Sequence, residues 1–159
     1  MGMIWVGYRR DPLTARTWLE DEDRVEELLE SDDDETSVDL DKAWHGVHWL
    51  LTGAADVTDD VTSHALFGGE PIGEDLGYGP PRLLSPERAS AVADALERLD
   101  VGTLRQRMDA RAMTDAEIYP TIWDESDVFD EYLAPAFERL RSFYLAAAEN
   151  HEAVIQTIC

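Results

Sequence analysis

The stretch from Asp39 to Gly53 constrains the fold more than any other part of the chain, because it has the pattern of a complete buried helix. At about 100° per residue, its large apolar side chains fall on one side of the predicted cylinder, namely Leu40, Ala43, Trp44, Val47, Leu50 and Leu51. Asp39 or Asp41 is a suitable N-cap, and Gly53 suits the left-handed residue that follows a helix. We therefore predict a helix over residues 40–52 whose apolar face lies in the core.

A narrow polar stripe runs along the edge of that face. Asp41, His45, His48 and Thr52 lie within about 60° of one another on the predicted helix, and we call them the polar stripe. Histidines titrate near neutral pH and a carboxylate lies one turn away, so the stripe is a candidate ligand or acid/base site. The structural alternative is that the aspartate caps the helix while the histidines bond to a neighbouring loop.

Metal binding by the stripe is a further alternative. The spacing of His45 and His48 suits two metal ligands, but no third ligand at metal-site spacing is visible in the sequence. We therefore predict neither a metal nor a cofactor.

The composition indicates the number of domains and the cellular compartment. The 159 residues, of which 44% are hydrophobic, suffice for one domain over 1–159 with its own core. The single cysteine, Cys159, allows no internal disulfide, which is typical of a reducing compartment. Neither a secretory signal nor a membrane-spanning run is apparent. We expect a soluble cytoplasmic protein that does not enter membranes, and the oligomeric state is left open.

The net charge indicates which classes of partner to expect. The net charge is −22, and residues 20–41 hold thirteen acidic residues against one arginine. Such a surface repels phosphate backbones, so nucleic-acid binding is not expected. It would attract a basic protein partner, or it serves only as a solvated surface. We predict a mobile acidic loop near residues 31–38 within this tract.

Segments typical of strands and helices alternate along the chain. Strands are predicted at 3–8, 82–84, 118–123 and 153–158, and Pro120 makes the third an edge strand or a bend. Helices are predicted after Asp11, around Val25, Leu28 and Leu29, after Ser85, after Thr103 and from 126 to 150, where Pro135 kinks or divides the last one. Residues 63–67 are predicted to form a short helix or the end of a strand. The alternation predicts an α/β, single-domain three-layer sandwich with a small mixed sheet.

Residues 68–81 form a glycine-rich loop. Five glycines and three prolines exclude a helix there, while the missing Walker spacing and the acids Glu70, Glu74 and Asp75 argue against a phosphate loop. The loop either lets a ligand approach its backbone or is a wide connection under a helix. A ligand site, if present, is expected where the polar stripe meets this loop, with Tyr78, Arg82 and Tyr119 as further donors.

Several motifs together resemble a known family: Met1-Gly2-Met3-Ile4, Asp39-Leu40-Asp41-Lys42 leading to Trp44, His48 and Leu51-Thr52-Gly53, then Gly77-Tyr78-Gly79-Pro80, and Ile118-Tyr119-Pro120 with Trp123. With these the chain resembles, almost end to end, the YfbM-like family of small bacterial proteins, known chiefly as a domain of unknown function. The resemblance implies a three-layer α/β/α fold. It implies no activity and no catalytic residue.

Three function classes fit the sequence. The prediction is a non-catalytic binding module for a protein partner or a small ligand. The alternative is a small-molecule enzyme that uses Asp41, His45 and His48 beside the glycine-rich loop. A purely structural role is the third, and no Gly-x-Ser-x-Gly nucleophile motif occurs.

Overall fold

Five strands form one antiparallel sheet in the computed structural model, which describes residues 2–21, 27 and 35–159. They are β1 (Trp5–Arg10), β2 (Ser37–Asp39), β3 (Glu70–Pro71), β4 (Arg82–Leu84) and β5 (Ala153–Ile158). The strand order is β2-β1-β5-β4-β3, so the last strand of the chain lies at the centre. All four pairings are antiparallel, and the predicted mixed sheet is therefore wrong. Apolar periodicity identifies a strand, but it carries no information on the direction of the strand's neighbours.

Seven α-helices occur among the described residues, which confirms the mixed α/β class. They are α1 (Pro12–Glu20), α2 (Trp44–Thr52), α3 (His64–Phe67), α4 (Pro86–Glu97), α5 (Val101–Arg107), α6 (Ala110–Asp115) and α7 (Ala134–Glu149). A 3₁₀ turn (Val61–Ser63) precedes α3, and a π-helical turn (Phe129–Leu133) precedes α7. None of the helices in these described ranges is both long and apolar enough to cross a membrane.

The two faces of the sheet are covered unequally. Successive side chains of a strand point to opposite faces, so Trp5 and Val154 enter the main core with α2, α4 and α7. The opposite face carries a smaller cluster of Tyr8, Ala15, Ile72, Leu83, Ala153 and Ile155. Of the described helices only α1 contributes to that cluster, through Ala15, so a full third layer stays a prediction.

Side-chain caps explain where several helices begin. Asp11 and Ser85 each precede a proline at the first helical position and accept hydrogen bonds from first-turn amides, as predicted. The predicted cap at Thr103 is wrong. Asp100 is the N-cap of α5, and its carboxylate accepts from the Thr103 amide at 2.7 Å.

The start of α2 also differs from the prediction. The helix begins at Trp44, after Ala43, and no side chain caps it. The Asp39 carboxylate instead accepts from the amide of Asp41 at 2.6 Å, in a turn where Asp41 has a φ of 51°. Neither aspartate is therefore the N-cap. Asp39 uses its carboxylate in the turn that precedes the helix, and Asp41 lies within that turn. The helix ends as predicted, with Gly53 left-handed at a φ of 74°.

The remaining segments divide into confirmed and corrected predictions. Of the short helix or strand end predicted at 63–67, the structure has the helix, and the last helix changes from π-helical to α-helical geometry next to Pro135. Residues 118–123 form turns rather than an edge strand, which leaves the bend. At the end of the predicted mobile loop near 31–38, Ser37 and Val38 belong to β2, and the loop stays a prediction. Residues 31–34 and the predicted helix with Val25, Leu28 and Leu29 lie outside the described residues.

Candidate functional site

A cleft of about 160 Å³ lies at the end of β5, where β4 has already left the sheet. Gln156 of β5 pairs with Arg82, and the residues before Arg82 are Pro80 and Pro81. Proline has no N–H to donate to a ladder, so the pairing stops there. β5 continues for two residues beyond this point, paired with β1 alone. We call this opening the β5 cleft, lined by Val57, Leu66, Phe67, Tyr78, Gly79, Pro80, Arg82, Gln156, Thr157 and Ile158.

The floor of the β5 cleft contains polar groups without partners. Ile4 and Cys159 exchange two backbone hydrogen bonds of 2.8 and 2.9 Å. Backbone groups along a strand face alternate neighbours, so the N–H and C=O of Ile158 face away from β1, where β4 no longer provides a partner. The buried hydroxyl of Thr157 also has no hydrogen-bond partner in the described structure, but its side chain lies on the opposite face of β5 from Gln156 and Ile158.

The entrance of the β5 cleft is apolar and exposed. Val57 and Tyr78 are 60% and 54% exposed, which is high for side chains of their size, and both line the opening. The guanidinium of Arg82 donates to the Gly69 carbonyl at 3.2 Å. Among the residues that the structure describes, no carboxylate forms an ion pair with Arg82, although the chain has 35 acidic residues.

The six predicted site residues separate into two groups. Tyr78 and Arg82 line the β5 cleft, whereas Asp41, His45, His48 and Tyr119 do not. Phe67 lies between the groups: it lines the cleft and makes an edge contact with the His48 ring, with centroids 4.7 Å apart. The glycine-rich loop thus approaches the polar stripe with an aromatic ring in between.

Both histidines of the polar stripe bond to the loop that follows α2. The Nε2 atoms of His45 and His48 donate to the carbonyls of Ala55 and Asp56, each at 2.9 Å. Nδ1 of His45 accepts from the Tyr119 amide at 2.9 Å, so this ring is neutral with its proton on Nε2. His48 is fully buried, and burial holds its pKa below the usual value for histidine. The pair fixes residues 55 and 56, and the next residue is Val57 at the cleft entrance.

Asp41 and Tyr119 are held by other partners. The Asp41 carboxylate accepts from the Tyr132 hydroxyl at 2.7 Å, and burial together with this bond raises the pKa of Tyr132. The Tyr119 hydroxyl accepts from the amide of Met3 at 3.1 Å. The Tyr119 ring also stacks on Trp44, with centroids 6.0 Å apart. These contacts join α2 to the start of β1 and leave the aspartate and the tyrosine outside the cleft.

A larger cavity of about 490 Å³ lies on the opposite face of the sheet, between α1 and the start of α4. Its arginines, Arg16 and Arg88, are exposed. No buried polar atom that lacks a partner in the described ranges belongs to its lining. Nor do the described residues contain a group of three His, Cys, Asp or Glu side chains that could hold a metal ion. The β5 cleft is therefore the candidate site.

Six of the ten lining residues were not predicted from the sequence, namely Val57, Leu66, Phe67, Gln156, Thr157 and Ile158. Phe67 and Ile158 appear in the sequence as ordinary core residues, and Thr157 as one polar residue of a strand. One signal was available: Pro80 and Pro81 directly precede β4, and consecutive prolines predict that a ladder ends beside a neighbouring strand that continues.

Comparisons with known proteins address the family. A family model described as "Domain of unknown function (DUF1877)" matches residues 1–157. The crystal structure of YfbM from Escherichia coli, described as a protein of unknown function, is similar with a TM-score of 0.78 and 24% identity, covering 99% of this chain and 100% of the other. That likeness concerns the fold alone. No curated protein matches the chain. The resemblance inferred from the motifs is thus confirmed, and the chain belongs to the family described as a domain of unknown function, DUF1877.

Proposed function

We propose that this protein is a non-catalytic binding module and that a small ligand occupies the β5 cleft. One observation carries the proposal: the N–H and C=O of Ile158 face a cleft where β4 no longer provides a partner, behind an exposed apolar entrance. Buried polar groups are nearly always hydrogen-bonded, and a ligand that accepts or donates these hydrogen bonds is stabilised by them. A concave site with few polar groups and apolar walls is the usual form of a ligand site.

The volume limits the size of the ligand. A water molecule occupies about 30 Å³ in the liquid, so the 160 Å³ cleft corresponds to about five waters. A compound of roughly five to seven non-hydrogen atoms fits this space, as does the end of a longer molecule. The cleft is smaller than the sites of most drug-sized ligands, which span about 300–1,000 Å³.

The chemistry of the lining favours binding over catalysis. Its titratable side chains are Tyr78 and Arg82, and the lining has no histidine, carboxylate, lysine or cysteine. The hydroxyl of Thr157 has no hydrogen-bonded base, which a nucleophile would need. The alternative enzyme would use Asp41, His45 and His48, but Nδ1 of His45 already accepts from the Tyr119 amide, and His48, whose Nδ1 has no partner in the described structure, is fully buried outside the cleft lining. A general base must reach the proton that it abstracts.

A basic protein partner remains the second form of this proposal. Its support is the acidic tract at 20–41, much of which lies outside the described residues. The contacts around the β5 cleft favour the small ligand.

A fragment screen followed by two-dimensional NMR tests the proposal. We expect neutral, cationic or anionic fragments that bind to shift the amides of Gly79, Thr157 and Ile158. Tyr78→Ala should weaken binding, because it removes an exposed wall of the cleft. Leu13→Ala is the matched control, since Leu13 is 76% exposed on α1, away from the cleft lining. Binding that shifts the ring signals of the polar stripe instead would contradict the proposal and favour the enzyme.

A further inference from the structure

We infer that the ligand of the β5 cleft is a small organic monocarboxylate with a short apolar body. This inference rests on the proposed function and names the chemical class of the ligand. Its support is the juxtaposition of Arg82, the free N–H of Ile158 and an apolar wall within one small cleft.

The guanidinium of Arg82 has more donors than the described structure uses. A guanidinium has five N–H donors, and the structure assigns Arg82 one hydrogen bond, to the carbonyl of Gly69. Arginine pairs with a carboxylate through two parallel hydrogen bonds, which are stronger than bonds between neutral groups. A half-buried arginine that finds no carboxylate in so acidic a chain retains donors for an anionic ligand.

The nearby acids do not take this role in the described structure. Asp75, in the glycine-rich loop, accepts from the amides of Gly77 and Gly79 at 2.7 and 3.0 Å, so its carboxylate stabilises the loop. Glu70 of β3 lines the cavity on the opposite face of the sheet rather than the β5 cleft. The acids closest in sequence are thus directed to other contacts.

The N–H of Ile158 is the second donor. It faces the side of β5 that β4 has left, and a backbone N–H is a good partner for a carboxylate oxygen. The side chain of Thr157 belongs to the other face of the sheet and adds no donor here. Two donor groups, the guanidinium of Arg82 and the N–H of Ile158, therefore meet in a cleft with no described anionic side chain.

The apolar wall and the net charge restrict the rest of the ligand. Leu66, Phe67 and Val57 line the cleft and offer contacts to hydrocarbon, not hydrogen bonds. A second carboxylate would be desolvated against these side chains, and the chain's charge of −22 would repel it. One carboxylate on a short aliphatic or aromatic body is what the cleft can satisfy.

A matched pair of probes tests the chemical class. Isobutyrate and isobutyramide have nearly the same shape and differ in charge. NMR titrations of the whole protein at one salt concentration should show isobutyrate shifting the Gly79 and Ile158 amides, and isobutyramide binding about tenfold more weakly or less. Arg82→Gln, which keeps a donor for the Gly69 carbonyl, should abolish the preference for the acid. Arg88→Gln, an exposed arginine outside the cleft, should preserve it.

The outcomes separate this inference from the proposed function. Equal binding of acid and amide at the cleft, or a preference for acid that survives Arg82→Gln, would overturn the carboxylate and leave a binding module in place. Binding of neutral fragments in the cleft, without binding of either probe, would also overturn the carboxylate and leave a binding module in place. A cleft that takes no fragment at all would overturn both. The acid and amide comparison is made on the unmodified protein, so it decides the matter even where a variant fails to fold.

Discussion

Two polar regions lie on either side of Phe67, and they differ in how fully their hydrogen bonds are made. On one side, His45 has a partner at both ring nitrogens, and His48 donates to the Asp56 carbonyl. On the other side, the β5 cleft holds the N–H and C=O of Ile158, which face the side of β5 that β4 has left. The region rich in titratable side chains makes most of its hydrogen bonds within the protein, although the buried Nδ1 of His48 has no partner in the described structure. The type of residue alone is thus a poor guide to a site, and the partners of each polar atom have to be considered one by one.

The two regions are nevertheless connected. The histidines fix residues 55 and 56, next to Val57 at the cleft entrance, while the His48 ring packs against Phe67. We expect the polar stripe to affect ligand binding indirectly, by holding residues that line the cleft in place. Changes in the stripe should therefore cost stability first, and changes in the cleft should alter binding with little effect on stability.

The largest effect is expected at Trp44. Its ring is 6% exposed, stacks on His45 and Tyr119, and its indole N–H donates to the Met3 carbonyl at 2.9 Å. Trp44→Ala should lower the free energy of unfolding by about 3–5 kcal/mol, since it leaves a large cavity and an unpaired carbonyl. Denaturant unfolding followed by circular dichroism measures this. An unchanged midpoint would contradict the structural role of the whole α2 face.

A smaller loss is expected at His45. His45→Ala leaves the Ala55 carbonyl and the Tyr119 amide without partners, which should cost about 1–3 kcal/mol. His64→Ala is the comparison variant, because no hydrogen bond of the His64 ring occurs in the described part of the chain. It should cost less than His45→Ala in the same denaturant measurement. Equal losses would show that the bonds to the loop contribute little.

The pH dependence of stability tests the neutral state of His48. Burial lowers its pKa in the folded protein below the unfolded value of about 6.5, so the unfolded chain binds the proton more readily. The contribution of neutral His48 to the free energy of unfolding is fully present above about pH 6.5, and it is lost as the pH falls through the pKa of His48 in the folded protein. Chemical unfolding of the parent protein and of His48→Gln at several pH values separates the contribution of His48 to the pH dependence of stability from that of the carboxylates. Parallel stability curves for the two proteins would contradict a buried neutral His48.

The smallest effect, of opposite sign, is expected at Thr157. Replacing an unpaired buried hydroxyl by a methyl group of the same shape removes a desolvation cost, so Thr157→Val should be neutral or up to about 1 kcal/mol more stable. Thr62 is the matched control, since it is also buried but its hydroxyl donates to the Asp60 carboxylate at 3.0 Å. Thr62→Val should lose about 1 kcal/mol in thermal or denaturant unfolding. A clear loss for Thr157→Val would mean that its hydroxyl is satisfied in the free protein.

Local signals explain which parts of the fold could be predicted from the sequence. The starts of α1 and α4 followed from Asp11-Pro12 and Ser85-Pro86, and the end of α2 from Gly53, because each signal acts within one turn. The start of α2 was missed because Asp39 suits a turn as well as a cap. Strand direction depends on contacts between distant segments, so local patterns could not predict the antiparallel sheet.

The site was predicted only in part, for a similar reason. Tyr78 and Arg82 were identified from the glycine-rich loop, and both line the β5 cleft. Phe67, Thr157 and Ile158 join them through the tertiary fold, over separations that no local pattern records. Whether a histidine is free or bonded depends on the path of a distant loop, as the contact between His45 and Tyr119 illustrates.

Native-state hydrogen exchange of individual amides tests the contrast between the two regions most directly. The Tyr119 amide lies in a turn but donates to His45, so we predict that it is protected. The Ile158 amide lies in the central sheet but faces the cleft, so we predict rapid exchange, while the Thr157 and Cys159 amides, which face β1, stay protected. That alternation separates an open cleft from simple fraying of the strand end. An Ile158 amide protected as well as its neighbours, together with a freely exchanging Tyr119, would contradict the account.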